Sequence, residues 1–240
     1  MPELPAPLPP GERTVGQLVA ETIRAYGNNF WRALPLGLPL AASTQLSLGH
    51  DANVQTVILF AFSPLIGLAY VWAGRLVHGL RPTAVAYLAA VLIFFPVSFL
   101  ARLIVLPALG WLALFGLAPI AAMVERIGFR QALSRGRQLG TADYVHALGS
   151  LSALVIVVAI AELTLIALLR SQGDNGQRVA HLLADLVLSP LLYLGGALLY
   201  VDQAARVGSS RSTRRRSRDA DLHPPVDADP AGHSDPQVEP

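Results

Sequence analysis

Between Val85 and Met123 the chain runs for almost 40 residues with a single charge, Arg102. A helix of about 20 apolar residues crosses the roughly 30 Å hydrocarbon core of a bilayer. A run of twice that length predicts two spans that fold back on each other near Arg102. The same criterion places further spans at Phe30–Leu48, Val54–Val77, His146–Leu169 and Val179–Val201, making six. The first is the weakest, because it carries Arg32, Pro35, Pro39 and Gln45. The expected fold class is therefore all-α integral membrane, with six transmembrane helices. Composition agrees: 53% of residues are hydrophobic and only 14% charged, and the 171 residues from Trp31 to Val201 hold only 16 of the 34 charges.

Two polar stretches have helical periodicity but cannot span. In the first, near residues 14–26, Thr14 and Gln17 have capping-box spacing. Val15, Leu18, Val19, Thr22 and Tyr26 share one face; Gln17, Glu21, Arg24 and Asn28 share the other. The second, near residues 126–139, sets Phe129, Ala132, Leu133 and Gly136 against Arg126, Arg130, Ser134 and Arg137. Both are read as amphipathic helices lying in the membrane interface. The chain thus divides into a disordered proline-rich lead (1–12), a membrane domain (13–206) and a disordered tail (207–240), basic first and then acidic.

All 18 basic residues are arginine, and there is no cysteine. The lack of lysine is read as the codon bias of a GC-rich bacterium. The lack of cysteine removes disulfides, thiolate nucleophiles and cysteine-ligated metals together. With six spans and the N-terminus inside, inner segments hold fifteen arginines: 13, 24, 32, 75, 81, 126, 130, 135, 137, 206, 211, 214, 215, 216 and 218. Outer segments hold only Arg102, Arg170 and Arg178. Positive charge marks the cytoplasmic side, so both termini are expected in the cytoplasm of a cell whose inner membrane holds the protein. Met1 to Arg13 has no basic start followed by an apolar core, so no cleaved signal peptide is expected.

An internal duplication is also hinted at. Ser63-Pro64-Leu65 matches Ser189-Pro190-Leu191, and Leu68 to Val71 matches Leu198 to Val201, each with a tyrosine (Tyr70, Tyr200) and a later arginine (Arg75, Arg206). Chance similarity between apolar segments is the alternative.

One group of motifs carries a family likeness: Thr14 to Leu18 running on to Tyr26 and Phe30; Ala118-Pro119 to Glu125; Ala132 to Arg135; Gln138 to Gly140; and Leu198 to Asp202 with Arg206. In this order the chain resembles the six-span membrane domain found with glycerophosphodiester phosphodiesterases and its stand-alone relatives, over roughly Thr14 to Arg206. The resemblance implies a membrane domain rather than an activity. The phosphodiesterase partner needs a soluble barrel with acidic metal ligands and catalytic histidines, which no stretch here can supply.

Ionisable groups inside a span cost roughly 2.5–3.5 kcal/mol on insertion scales and point to function by default. Glu162 and Asp185 stand at similar distances from the turn at residues 170–178, on the order of 10 Å deep at 1.5 Å per residue. His181 shares a helix face with Asp185, and Arg102 lies on the same side. These four form a candidate outward-facing pocket for a proton or cation. In the competing reading Asp185 is merely interfacial and Glu162 pairs with Arg102 or Arg170. Two ligands at i, i+4 without a third do not make a metal site, and neither metal nor cofactor is expected. At the inner edge Asp202 and Arg206 have pairing spacing, and Glu125 is placed to hold Arg130 or Arg135. These residues are read as structural latches, with a gating role as the alternative. Arg211, Arg214, Arg215, Arg216 and Arg218 are candidate contacts for anionic lipid, or else a topology signal; nucleic acid is not expected as a partner.

No nucleophile–base pair or phosphate loop is visible. The expectation is a non-enzymatic membrane protein that organises or assists envelope components through lipid or protein contacts. The alternative is a small transporter or lipid translocator using the acidic pocket. Seven prolines in the spans (Pro35, Pro39, Pro64, Pro96, Pro107, Pro119, Pro190) predict kinks, compatible with an internal cavity or with an inert irregular bundle.

Overall fold

The computed structural model describes residues 9–222, apart from the side chains of 101–103, 174 and 210–222. Among these residues every regular element is helical and no strand occurs. The first helix, α1 (Val15–Asn28), begins with the predicted capping box. The Thr14 hydroxyl accepts from the Gln17 N–H, and the Gln17 side chain accepts from the Thr14 N–H. Leu18, Thr22 and Tyr26 are buried, and their face lies on the two last long helices.

The first apolar segment differs from its expectation. It is not one helix but three pieces: α2 (Phe30–Ala33), a tightened 3-10 stretch (Leu34–Gly37) and α3 (Leu38–Ser47). Pro35 and Pro39 cause this, since each lacks a backbone donor and crowds the preceding turn. Next comes α4 (Ala52–His78), capped by Asp51, whose carboxyl accepts from the N–H groups of Val54 and Asn53. Those bonds favour the charged form and hold its pKa below the usual value. Gly79 ends α4 at φ 68°, the left-handed position where a glycine cap is cheapest.

The long apolar run does fold back. Helix α5 (Ala84–Leu103) stops at Ile104, whose extended backbone (φ −156°, ψ 131°) separates it from α6 (Val105–Phe115) and α7 (Ala118–Val124). Helices α6 and α7 return along α5. The second amphipathic helix, α8 (Phe129–Ala142), starts three residues later than predicted, because Arg126 takes a positive φ of 51° and Gly128 is an extended cap. Its buried stripe is Ala132, Gly136, Leu139 and Gly140; Arg126, Arg130, Ser134 and Arg137 are exposed.

Helix α9 (Tyr144–Leu169) turns through a short 3-10 segment at Arg170–Gln172 into α10 (Gly173–Leu222). The polar loop expected over residues 170–178 is thus mostly helix, with Gly173 (φ 69°) supplying the reversal. The backbone of α10 stays helical past Val207, where the sequence reading begins the tail; residues 223–240 lie outside the described part.

Among the described residues, four helical stretches are long and apolar enough to cross a membrane: Ala52–His78, Val105–Val124, Tyr144–Gln172 and Asn175–Ser209. Ala84–Leu100 forms a shorter apolar helix. Packing follows the rules of lipid rather than water. Small residues face inward, among them Ala69, Ala73, Ala90, Ala118, Ala121 and Ala122, while Leu88, Phe95, Phe99, Ile160, Leu163 and Leu168 face outward. Large apolar groups carry no penalty against lipid tails, and small ones let helix backbones approach.

The closest approach holds α8 to the α6–α7 turn. A Cβ at Gly136 would sit 2.6 Å from the Ala118 Cβ, and one at Gly140 would meet the Ala113 carbonyl oxygen. Gly136→Leu is therefore expected to destabilise the fold by about 1–3 kcal/mol, the usual cost of overpacking. Gly16→Ala, with no atom within 4 Å of the added carbon, should be neutral. Thermal unfolding in mild detergent checks the pair, and an unchanged midpoint for Gly136→Leu would refute the close approach.

Candidate functional site

Three features organise the interior, and the first is apolar. A cavity of about 310 Å³ lies between α3, α4, α5, α6, α9 and α10, walled by side chains such as Leu59, Ile66, Phe94, Leu109, Leu151 and Leu192. Pro64, Pro96 and Pro190 lie inside three of the helices that wall it, positions at which proline kinks a helix. Each proline removes a backbone donor, so a carbonyl one turn earlier loses its partner. Side chains compensate near these prolines. Ser63 donates to the Phe60 carbonyl at 2.8 Å, the acceptor that Pro64 leaves open, and the Trp111 indole donates to Ile93 at 3.1 Å beside Pro96.

Polar atoms at the cavity wall are largely spent elsewhere. The Tyr70 hydroxyl donates to the Gly116 carbonyl at the α6–α7 break (2.8 Å), and Ser98 donates to Phe94 (3.2 Å). Gly196 gives the Tyr70 ring its place: a Cβ there would lie 2.9 Å from the ring. The cavity is thus a largely apolar space that offers contact to hydrocarbon and few hydrogen bonds. Its volume falls at the lower end of the roughly 300–1,000 Å³ range of ligand pockets.

The second feature is the acidic cluster. The α9–α10 hairpin brings His181 Nδ1 to 3.1 Å from Glu162 Oε1, so Glu162 pairs with His181 and not with Arg170. Asp185 stands one turn further along α10, with the Thr44 side chain facing its carboxyl. Its Oδ2 is buried without a hydrogen-bond partner among the described residues. The 3-10 break of the first segment is seated at this level, since a Cβ on Gly37 would meet the Leu186 carbonyl. The Arg102 side chain lies outside the described part. Among the described residues no three His, Cys, Asp or Glu side chains are grouped to hold a metal.

The third feature is a charged knot at the opposite end of the helices. Asp202 has no solvent exposure. It accepts from the Gly11 N–H (2.8 Å) and from Arg206 Nε (3.1 Å), and its Oδ2 lies 2.8 Å from His146 Nε2. Arg206 also donates to Asp143 Oδ2 (2.7 Å) and to the Arg13 carbonyl (2.9 Å). Asp143 in turn caps α9 by accepting from the His146 N–H. Beside the knot, Glu125 accepts from Arg135 Nε (2.7 Å) and from the Tyr200 hydroxyl (3.0 Å). The residues read as latches are therefore engaged, with Arg135 rather than Arg130 on Glu125.

Sequence reasoning missed Asp143, His146 and the Gly11 amide. Asp143 and His146 have cap spacing, three residues apart before an apolar run, which is a visible signal. The contact from Gly11 had none. The side chains of Arg211, Arg214, Arg215, Arg216 and Arg218 lie outside the described part. No family model, curated protein or solved structure matches the chain.

Removing one partner of a buried ion pair costs about 3–5 kcal/mol, because the other charge is left uncompensated. Asp202→Ala is expected to destabilise by that order. Asp202→Ala combined with Arg206→Ala should cost clearly less than the two separate losses added together. A double-mutant cycle on detergent-solubilised protein measures the coupling, and additive losses would show that the two groups do not act as a pair.

Proposed function

We propose that this chain is a non-enzymatic integral membrane protein that assists envelope components by holding the hydrocarbon tail of a lipid inside its helix bundle. The observation that carries this reading is the 310 Å³ cavity, whose walls are apolar and whose hydroxyls at Tyr70 and Ser98 are turned to backbone carbonyls. A space of that character rejects ions and polar solutes, which would lose their hydration without replacement. It accepts a saturated or isoprenoid chain through contact alone.

The topology belongs to the same proposal. Six segments cross the inner membrane of a bacterium, with both termini in the cytoplasm. The broken α2–α3 segment makes the first crossing, and α5 and α6–α7 make the third and fourth. The arginine bias and the fold-back at Ile104 support it. The likeness to the six-span domain associated with glycerophosphodiester phosphodiesterases is part of the reading as well. In its support, the motif residues of separate segments converge: Glu125, Arg135, Gln138 and Tyr200 form one network.

A second reading, a small transporter or lipid translocator, has its own observation. The Glu162–His181 pair and the unpartnered Asp185 oxygen lie together on the hairpin, where a proton or cationic group would find acceptors. In reconstituted vesicles a transporter should lose flux with Glu162→Gln or Asp185→Asn, whereas a tail-binding protein should keep its bound lipid in both variants.

The test of the leading reading is the molecule that travels with the protein. Purified in mild detergent and weighed intact, the wild type should retain one long-chain lipid per chain. Ala108→Phe, which fills the cavity from α6, should lose it while melting no lower, since filling a void stabilises. A wild type that carries no tailed molecule, or an Ala108→Phe variant that keeps it undiminished, overturns the reading. Reporter fusions check the topology independently. Fusions at Gly49 and Gly173 should report outside, and those at Gly79, Gly140 and Ser209 inside; an inside signal at Gly173 breaks the six-crossing arrangement.

A further inference from the structure

The carboxylates at the knot end of the bundle are nearly all committed. Glu21 holds Arg13, Glu125 holds Arg135, and Asp143 and Asp202 share Arg206. Among the described residues at this end, exposed Glu12 alone has no ion pair. By contrast, Arg24, Arg32, Arg75, Arg81, Arg126, Arg130 and Arg137 are exposed and face no carboxylate within ion-pair distance among the described residues. Two of these seven, Arg32 and Arg75, share a built cleft. It has a volume of about 390 Å³ and lies between α2 and the end of α4, lined by Asn29, Arg32, Trp72, Arg75, Leu76 and Gly79.

The cleft has more order than a loose pair of surface charges. The Arg75 guanidinium lies 4.7 Å above the Trp72 ring centroid. Stacking uses the face of the guanidinium and leaves its N–H edge free for an oxyanion. Asn29 is tied back to the Ala25 carbonyl, which fixes that wall. Two arginines with no internal anion match a phosphate, which accepts paired N–H bonds from such forks.

What lies beyond the charges on each helix is apolar and exposed. On α4, Leu65, Leu68 and Trp72 lead to Arg75 at helical spacing, so one stripe runs from hydrocarbon-facing leucines to an interfacial tryptophan and then a cation. On the neighbouring segment Leu38 and Pro35 lead back to Arg32, with Trp31 81% exposed beside it. Tryptophan and arginine at the end of an apolar stripe are the groups that sit at the headgroup level of a bilayer. Phosphate at the cleft with tails along the stripes is the shape of a phospholipid.

We propose that the Arg32–Arg75 cleft binds the phosphate diester of an anionic glycerophospholipid from the leaflet at the knot end of the bundle, its acyl chains lying along the exposed faces of α3 and α4. This site is on the outside of the bundle, separate from the internal cavity, and does not rest on the cavity being occupied. It uses different arginines from those of the tail.

The full chain in detergent, offered equal amounts of phosphatidylglycerol and phosphatidylcholine and weighed as intact complexes, tests the proposal. The wild type should prefer the anionic lipid about tenfold or more, and Arg32→Gln with Arg75→Gln should abolish the preference. Arg126→Gln with Arg130→Gln removes the same charge from α8 and should leave the preference in place. A preference that survives the first double substitution, or that falls equally in both, overturns the site in favour of diffuse charge. A measurement on the wild type needs no variant: phosphatidylglycerol in nanodiscs should shield Arg32 and Arg75 from phenylglyoxal, relative to Arg24 and to phosphatidylcholine nanodiscs. Equal labelling in the two lipids sinks the proposal, and equal shielding by inorganic phosphate alone would show a free-anion site instead of a lipid site. The internal cavity is read separately, because Ala108→Phe should leave this shielding intact.

Discussion

A carboxylate cut off from water must be matched by hydrogen bonds and a counter-charge, or it would not stay ionised. Asp202 is such a group, and the charged end of the bundle is arranged around it. Its partners come from three parts of the chain: the lead at Gly11, the first turn of α9 at His146, and its own helix at Arg206. Arg206 extends the set to the Asp143 cap and to the Arg13 carbonyl, just before α1. One buried charge therefore fixes where the lead runs, where α9 begins and how α1 lies across α9 and α10. The neighbouring Glu125 set adds α8 to the same assembly through Arg135, and Tyr200 joins the two.

A similar logic governs the apolar part, where no water can complete a broken backbone ladder. Three helices carry Pro64, Pro96 and Pro190 inside them, and the side chains nearest those prolines are hydroxyls and an indole. Ser63 and Ser189 precede their prolines and each bonds a carbonyl of the preceding turn. Tyr70 and Tyr200, matched in the sequence as members of a duplication, both reach α7: one bonds Gly116 before its start, the other Glu125 at its end. The parallel is of role, two tyrosines bracketing one short helix. By satisfying the backbone locally, these side chains let helices with internal prolines stand apart around a cavity without leaving polar groups bare.

Features encoded by neighbours in sequence were legible. The capping box of α1, the two-faced pattern of α8 and the reversal near Arg102 all come from local spacing, and they appear within a few residues of where they were expected. The single helix over Phe30–Leu48 was not, because apolarity sets whether a segment prefers lipid but two prolines four residues apart decide whether it stays one helix. That the hairpin brings Glu162 and Asp185 to similar depth was readable, but that Glu162 would pair with His181 was not. The prolines were compatible with a cavity but equally with an inert irregular bundle, so the cavity's place and walls were not readable. It arises where six elements fail to fill a space, and no single segment carries that information. The Gly11 contact with Asp202 escaped for the same reason, since a backbone amide has no side-chain signature.

That contact joins residues 191 positions apart. At about 5–20 residues per second of synthesis, roughly 10–40 seconds separate the emergence of its two halves from the ribosome. During that interval the lead has nothing to fasten to, and Asp143 waits without Arg206. The amphipathic α1 meanwhile has only the membrane surface on which to rest its apolar face. Helix α10 is thus the one that closes α1, so assembly of this end waits for α10 rather than building outward from the lead. A ribosome halted before Asp202 would leave a chain whose early helices had been inserted but not yet locked to one another.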